Sequence, residues 1–377
     1  MAKSSFSTSP AKIKVIGLGG GGCNAITRMV QEQIRGVEFI AMNTDAQAMA
    51  LTEAPTRIQL GERATRGLGA GGDHIFGQKA AEETRDEIKE VTLGSDMVFI
   101  TAGMGGGTGT GAAPVVAEIA KNSGALTIAV VTKPFAFEGT HRTQVAEEGI
   151  ANLLGKVDTL IIIPNDRLLD LCDQKVGVDN AFKMADDVLR HGVQAISEVI
   201  TVPGVINLDF ADVKAVMKDA GPAWMSIGKG SGQNRAVDAA KEALSSPLLD
   251  VSAAGSKGVL FNIVGDSSLT LYEVNEAANI IKQAVDPEAN IIFGVAHDPN
   301  MGKEVKITLI ATGFLTKNGL IGIGKDEEMT KFLSGLKKNE DELDVPSFLR
   351  RPLFNQRRQV VPPSTKISQP SVRTPSF

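Results

Sequence analysis

From Lys12 onward, short apolar runs alternate with longer amphipathic stretches. The runs Ile13–Gly17, Glu38–Met42, Thr56–Leu60, Met97–Ala102, Leu126–Thr132 and Thr159–Pro164 are short, rich in β-branched residues and bounded by turn residues, which predicts strands. Helices are expected between them, at 22–34, 73–91, 112–122 and 140–155. Strict alternation of this kind predicts an α/β fold: a doubly wound, Rossmann-like parallel sheet whose ligands bind outside the carboxyl ends of the strands. From Val178 to Ile200 the apolar positions Phe182, Ala185, Val188, Leu189, Val193, Ile196, Val199 and Ile200 keep three-and-four spacing. That predicts one helix about 34 Å long, ended by Pro203-Gly204 and serving as a spacer. A second, smaller α/β unit follows, with helices near 210–220, 233–245 and 270–285 and strands near 224–228, 257–264, 289–296 and 304–314.

The organisation predicted is therefore a disordered N-terminus (1–10), a parallel-sheet domain (11–177), a central helix (178–202) and a second domain (203–316). A charged linker (317–343) comes next, in which Met329, Phe332, Leu333 and Leu336 could line a short helix. A short apolar-basic segment (344–351) and a disordered tail (352–377) complete the chain.

Composition narrows the class. The chain has 377 residues, 42% of them hydrophobic, and a net charge of −5, so its body offers no electrostatic case for nucleic acid. Cys23 and Cys172 form neither a disulfide framework nor a metal spacing, and His74, His141, His191 and His297 are scattered. The N-terminus has no apolar core segment, so no secretory signal is expected. No apolar run reaches the roughly 18 residues needed to span a bilayer.

The forty glycines cluster. Gly17-Leu-Gly19-Gly-Gly-Gly22 follows the first strand, and Gly67-Leu-Gly-Ala-Gly-Gly72 precedes a helix. Gly103-Met-Gly-Gly-Gly-Thr-Gly-Thr-Gly111 joins the fourth strand to a helix. A strand that opens through bare backbone into a helix start aims N–H donors and the positive dipole end at one point, which suits phosphate. Thr108 and Thr110 would add hydroxyl donors. The first loop satisfies GxGxxG, with Asp45 placed as a Rossmann ribose acid would be, so an NAD-linked oxidoreductase is one reading. Three donor-rich loops suit a triphosphate better, and no GxxxxGK[ST] is present.

These motifs, with Asn43-Thr-Asp-Ala-Gln47, Pro134-Phe-Ala-Phe-Glu-Gly139 and Asn207-Leu-Asp-Phe-Ala-Asp212, resemble the FtsZ family, the bacterial and plastid cell-division GTPases related to tubulin. The resemblance runs from about Lys12 to Thr316. It implies the tubulin/FtsZ fold, a GTPase domain over 11–177, a C-terminal activation domain over 203–316, and GTP/GDP with Mg²⁺ as ligands. Gly20, Gly21, Gly22, Cys23, Asn24 and Asn43 would face the nucleotide. Gly103, Gly106, Gly107, Thr108 and Gly109 would cradle the β-phosphate region, and Ala70 and Gly71 the γ-phosphate. Asp45 would organise Mg²⁺ through water, or simply cap a turn. Glu138 would accept from ribose and Arg142 would neutralise phosphate, or the two would form a solvated pair. Asn165 would contact base or ribose. Phe182 would stack on guanine and Asp186, four residues on, would accept its N1–H and N2–H; Phe182 otherwise reads as core.

Asp209 and Asp212 carry two compatible readings. Alone they form a helix cap with an acid in the first turn. The resemblance gives them, with Asn207, a catalytic role in the nucleotide pocket of the next subunit. It thereby implies head-to-tail homopolymers, hydrolysis activated by assembly, and a ring at a cytoplasmic mid-cell division site, or in the plastid stroma for a mature plastid form. A GTP-binding scaffold with little hydrolysis is the alternative. Pro346, Phe348, Leu349 and Arg350 fall in a segment resembling the family's docking peptide for membrane tethers and other division proteins. Residues 350–377 hold six basic side chains and no acid, so contact with anionic membrane is a further expectation.

Overall fold

The computed structural model describes residues 11–170, 177–201, 209–246 and 255–314. Asn207, Cys172, the N-terminal ten residues, the 317–343 linker, the 344–351 segment with Pro346, Phe348, Leu349 and Arg350, and the 352–377 tail lie outside them.

Ten strands form one sheet: β1 (Ile13–Leu18), β2 (Val37–Asn43), β3 (Thr56–Gln59), β4 (Met97–Gly103), β5 (Leu126–Lys133), β6 (Thr159–Pro164), β7 (Gly221–Ser231), β8 (Gly258–Gly265), β9 (Asn290–His297) and β10 (Glu304–Thr312). Their order is β3-β2-β1-β4-β5-β6-β7-β10-β8-β9. The first six pair in parallel, β7 continues from β6 over only Thr159–Ile161, and β10 runs antiparallel to both β7 and β8. β4 lies mid-sheet and is buried along almost its whole length, as an apolar run covered on both faces requires.

The helices are α1 (Gly19–Gln31), α2 (Ala46–Leu51), α3 (Glu62–Thr65), α4 (His74–Glu83), α5 (Arg85–Thr92), α6 (Gly107–Asn122), α7 (Thr140–Leu154), α8 (Asp166–Leu169), α9 (Val178–Thr201), α10 (Phe210–Met217), α11 (Arg235–Ser245) and α12 (Leu271–Ala284). The two-residue strand period divides the core. Ile13 and Val15 join Met29, Leu189, Val193 and Val213 on one face, while Ile16 and Leu18 join Ala80, Val116 and Ile150 on the other. A third cluster unites α11 and α12 with β8 and β10.

Several features differ from expectation: the strand expected near 224–228 runs Gly221–Ser231, the helix expected near 210–220 ends at Met217, and others differ for physical reasons. The helix expected over 73–91 breaks at Thr84, whose hydroxyl donates to Ala80 O and accepts from Gly61 N, pulling the chain aside. The helices expected from 22 and 112 begin earlier, at Gly19 and Gly107. Low glycine propensity argues for loop there, but tight packing of the glycine turns holds them helical. Finally, Phe182 is not core: it is 41% exposed, although its stripe-mates Ala185, Leu189, Val193 and Ile196 are buried.

Candidate nucleotide site

Strand β1 pairs with β2 on one side and β4 on the other, and the chain winds outward in both directions from there. The crevice above β1 and β4 is thus the topological switch point, where open α/β sheets bind ligands. α1 and α6 both start there. Gly19 has φ +67°, and a Cβ on it would lie 2.9 Å from the Gly109 nitrogen, so only glycine lets the two helix starts meet.

Neither start is capped. α1, α6 and α7 have no side-chain cap and no acid in the first turn, unlike every other described helix of eight or more residues for which capping or first-turn charge is resolved. An α-helix leaves its first N–H groups without internal partners. At α1 these include Gly19, Gly20 and Gly21, and at α6 Gly106, Gly107, Thr108 and Gly109. The donors and the helix dipoles are therefore left for an anion.

The structure sorts the glycine-loop residues by facing. Gly20, Gly21 and Asn24 are exposed, and a Cβ on Gly20, Gly71 or Gly106 would meet only open space. Gly22 and Cys23 are buried against the sheet. A Cβ on Gly22 would strike Thr101 O at 2.4 Å, so this glycine lets α1 sit against the sheet. The Cys23 thiol lies between Gly17 O and Met42 O, and burial pushes its pKa up to about 12. Thr110 also departs from expectation: its buried hydroxyl accepts from Gly105 N at 2.9 Å and shapes the loop. Thr108 Oγ1 sits 2.6 Å from Thr44 Oγ1, a bridge between the β2 and β4 ends that the sequence did not single out.

The Gly67–Gly72 loop docks on the turn between β2 and α2 and on the start of α6. Ala46 N donates to Gly67 O and Gly69 N to Thr44 O, and Ala70 packs beside Gly107 with Gly71 left exposed. Asn43 is buried and accepts from Thr44 N at 2.8 Å, so it shapes the turn. Asp45 caps α2, its Oδ1 accepting from Gln47 N and Ala48 N. Among the described residues no three metal-ligating side chains cluster. Beyond Gly103, at the end of β4, a cavity of about 540 Å³ is bordered by Gly71, Gly72, Gly105, Gly106, His141 and Arg142.

The rim opposite is aromatic and acidic. Phe182 meets Phe135 and Phe137 edge-on, with centroids 5.5 and 6.3 Å away, and the latter two rings stack at 5.0 Å. Phe137 is 61% exposed. One turn on, Asp186 faces α1, where Arg28 lies 3.4 Å from it and 3.5 Å from Asp187. Burial raises the Asp186 pKa to about 6, against the opposing pull of Arg28. Asn165, at the end of β6, is buried with no protein partner for its Oδ1, and a buried orphan acceptor calls for a donor. Glu138 is largely buried: it accepts from Phe135 N at 2.9 Å and from the exposed Arg142 at 2.6 Å. The pair is therefore real, but only Arg142 is solvated.

Asp209 and Asp212 sit elsewhere. Asp209 caps α10, accepting from Asp212 N at 2.8 Å, and both are exposed. The C-terminal end of α10 is fastened at the strand starts, where Thr159 Oγ1 donates to Met217 O. Being only about 12 Å long, α10 leaves both acids well short of the cradle at the strand ends. The structure brings the loops, Asn165, Phe182 and Asp186 together and leaves this pair apart.

Known proteins resemble this chain in sequence and fold. A model of the Tubulin/FtsZ family, GTPase domain, matches residues 12–173, and one of the FtsZ family, C-terminal domain, matches 221–315. An empty FtsZ dimer from M. jannaschii is 48% identical with a TM-score of 0.79, covering 81% of this chain and 89% of that one. A mutant FtsZ from the same organism gives the same identity and TM-score, with 92% of that chain covered. CetZ1 from Haloferax volcanii, a GDP-bound monomer, is 18% identical with a TM-score of 0.72 over 86% of this chain and 99% of that one, a likeness of fold.

Proposed function

Since the chain belongs to the Tubulin/FtsZ family and carries that family's GTPase domain, we propose that it binds GTP at the β1/β4 crevice and assembles head to tail. In the assembly, one copy's cradle and the next copy's Asp209 and Asp212 make a single hydrolytic site. The observation that carries this is the separation of parts: uncapped helix starts at the strand ends, and exposed acids at the free end of α10, whose other end is fastened at the strand starts. A contact joining unlike faces repeats without closing and yields a filament. The dimeric state of the M. jannaschii FtsZ relative supports self-association.

The amides of α1 and α6 hold the phosphates, and Arg142 swings from Glu138 to meet their charge. Mg²⁺ would be held by phosphate oxygens and, through water, by Asp45; it would offset phosphate charge. Phe182 supplies a face for the base, and Asp186 accepts from guanine N1–H and N2–H, donors that adenine lacks. Asp212 orients the attacking water, with Asp209 holding the helix start rigid and Asn207 beside it in sequence. The cellular role proposed is a filament ring at the division site in the cytoplasm, with 344–351 docking membrane tethers and the basic tail touching anionic lipid.

Light scattering in the presence of GTP, GDP or ATP, with phosphate release followed in parallel, tests the reading. GTP alone should give a rise in scattering that decays as phosphate appears. Scattering with ATP as strong as with GTP would reject the guanine site, and stable scattering without phosphate would favour a scaffold.

A further inference from the structure

The helix that opens the cradle reaches the opposite edge of the sheet. α6 is sixteen residues long, about 24 Å. Its first turn supplies the cradle amides, and its last turn carries Lys121. The Lys121 ammonium donates to Val157 O at 3.2 Å and to Asp219 Oδ1 at 3.1 Å, and lies 3.4 Å from Asp158 Oδ1. Asp158 is 4% exposed and is itself fixed, accepting from Thr127 N at 2.8 Å. Asp219 stands two residues beyond α10, with φ 51°, where the chain turns back toward β7. The carbonyls at this end of α10 are taken by hydroxyls: Thr159 Oγ1 donates to Met217 O and Thr312 Oγ1 to Val216 O. A cation here also faces the negative end of the α10 dipole.

We propose that Lys121 is a positioning residue for hydrolysis: its ammonium clasps Asp219, so that the helix gripping a copy's own nucleotide also fixes the α10 helix that presents Asp212 to the neighbouring copy. This rests on the role given to Asp212 above. Val213 and Met217 bury one face of α10, but an apolar face permits sliding that a charged clasp at the end resists. The effect is one of geometry, because catalytic rate is steeply sensitive to sub-ångström placement.

The test uses the full chain with Lys121→Ala, Lys121→Arg and Asp219→Asn, beside Asp212→Asn. Three quantities are read: GTP affinity of dilute protein, filament mass pelleted with a slowly hydrolysed GTP analogue, and phosphate released per pelleted protomer with GTP. Lys121→Ala should lower release per pelleted protomer by on the order of tenfold, with affinity and pelleted mass unchanged, and Lys121→Arg should restore it. Asp219→Asn keeps the Lys121–Asp158 pair and suits the left-handed backbone; it should shift release the same way by less. Unchanged release in Lys121→Ala, while Asp212→Asn is inactive, would overturn the clasp alone. Should Lys121→Ala fail to fold, unchanged release in Asp219→Asn would do the same. Normal turnover by Asp212→Asn would sink the reading of Asp212 and the clasp with it.

Discussion

Asp212→Asn is expected to bind GTP as the natural chain does and to release phosphate about 10²- to 10⁴-fold more slowly, the usual contribution of a positioned acid–base side chain. The substitution is gentle on the fold. Asp212 is exposed, and what caps α10 is the Asp209 carboxylate accepting from the Asp212 backbone N–H, which Asn retains. Loss of an acid from the first helical turn costs only about 0.3–1 kcal/mol. Filaments assembled on GTP should therefore outlast those of the parent chain, seen as scattering that decays late. Equal rates of phosphate release in the two proteins would reject the role assigned to Asp212.

The second large effect concerns the base. Asp186→Ala should weaken GTP binding by about 10²-fold, the loss of two hydrogen bonds to a charged acceptor, while leaving weak ATP binding as it was. Arg28 keeps Asp187 as a partner, so no buried cation is stranded. The pH dependence follows from the same carboxyl. Its folded pKa, about 6, lies above the ordinary 3.8. The folded chain therefore holds this proton more tightly than the unfolded chain does. The stability this gives is full below the ordinary value and is lost as pH rises through about 6. Guanine requires the charged form, so GTP affinity in the parent chain should rise with pH up to about 6 and then level off. In Asp186→Ala that slope should vanish. Titrating GTP binding by calorimetry from acid to neutral pH checks both; a parallel slope in the variant would assign the titration to another group.

Much of this was legible in the sequence because it is local. The apolar runs gave the strands within a residue or two, except β7, which extends three residues further at each end, and the three-and-four spacing gave α9. The Asp209-to-Asp212 pattern gave the α10 cap, and the glycine clusters gave the open loops before α1, α4 and α6. Facing within those loops was less visible. Gly22 and Cys23 lie on the same helical face as Ile26 and Met29, all buried, while Gly20, Gly21 and Asn24 point out; helical periodicity carried on into the glycines would have separated them. Other features come from contacts distant along the chain. Nothing near Arg28 announces Asp186 on another helix, and nothing near Thr108 announces Thr44. Phe182 meets Phe135 and Phe137 edge-on across the chain, whereas its own helix reads as a continuous apolar stripe. The α4–α5 break at Thr84 is set by Gly61, on a different turn of the chain.

The central claim is that no single copy holds a whole hydrolytic site. It is tested most directly by phosphate release per molecule, measured with saturating GTP over a dilution series of the natural chain. The account predicts near-zero specific activity at high dilution, a steep rise above a threshold and a plateau beyond it, with scattering appearing at the same threshold. Specific activity that stays constant down to the most dilute sample would contradict it.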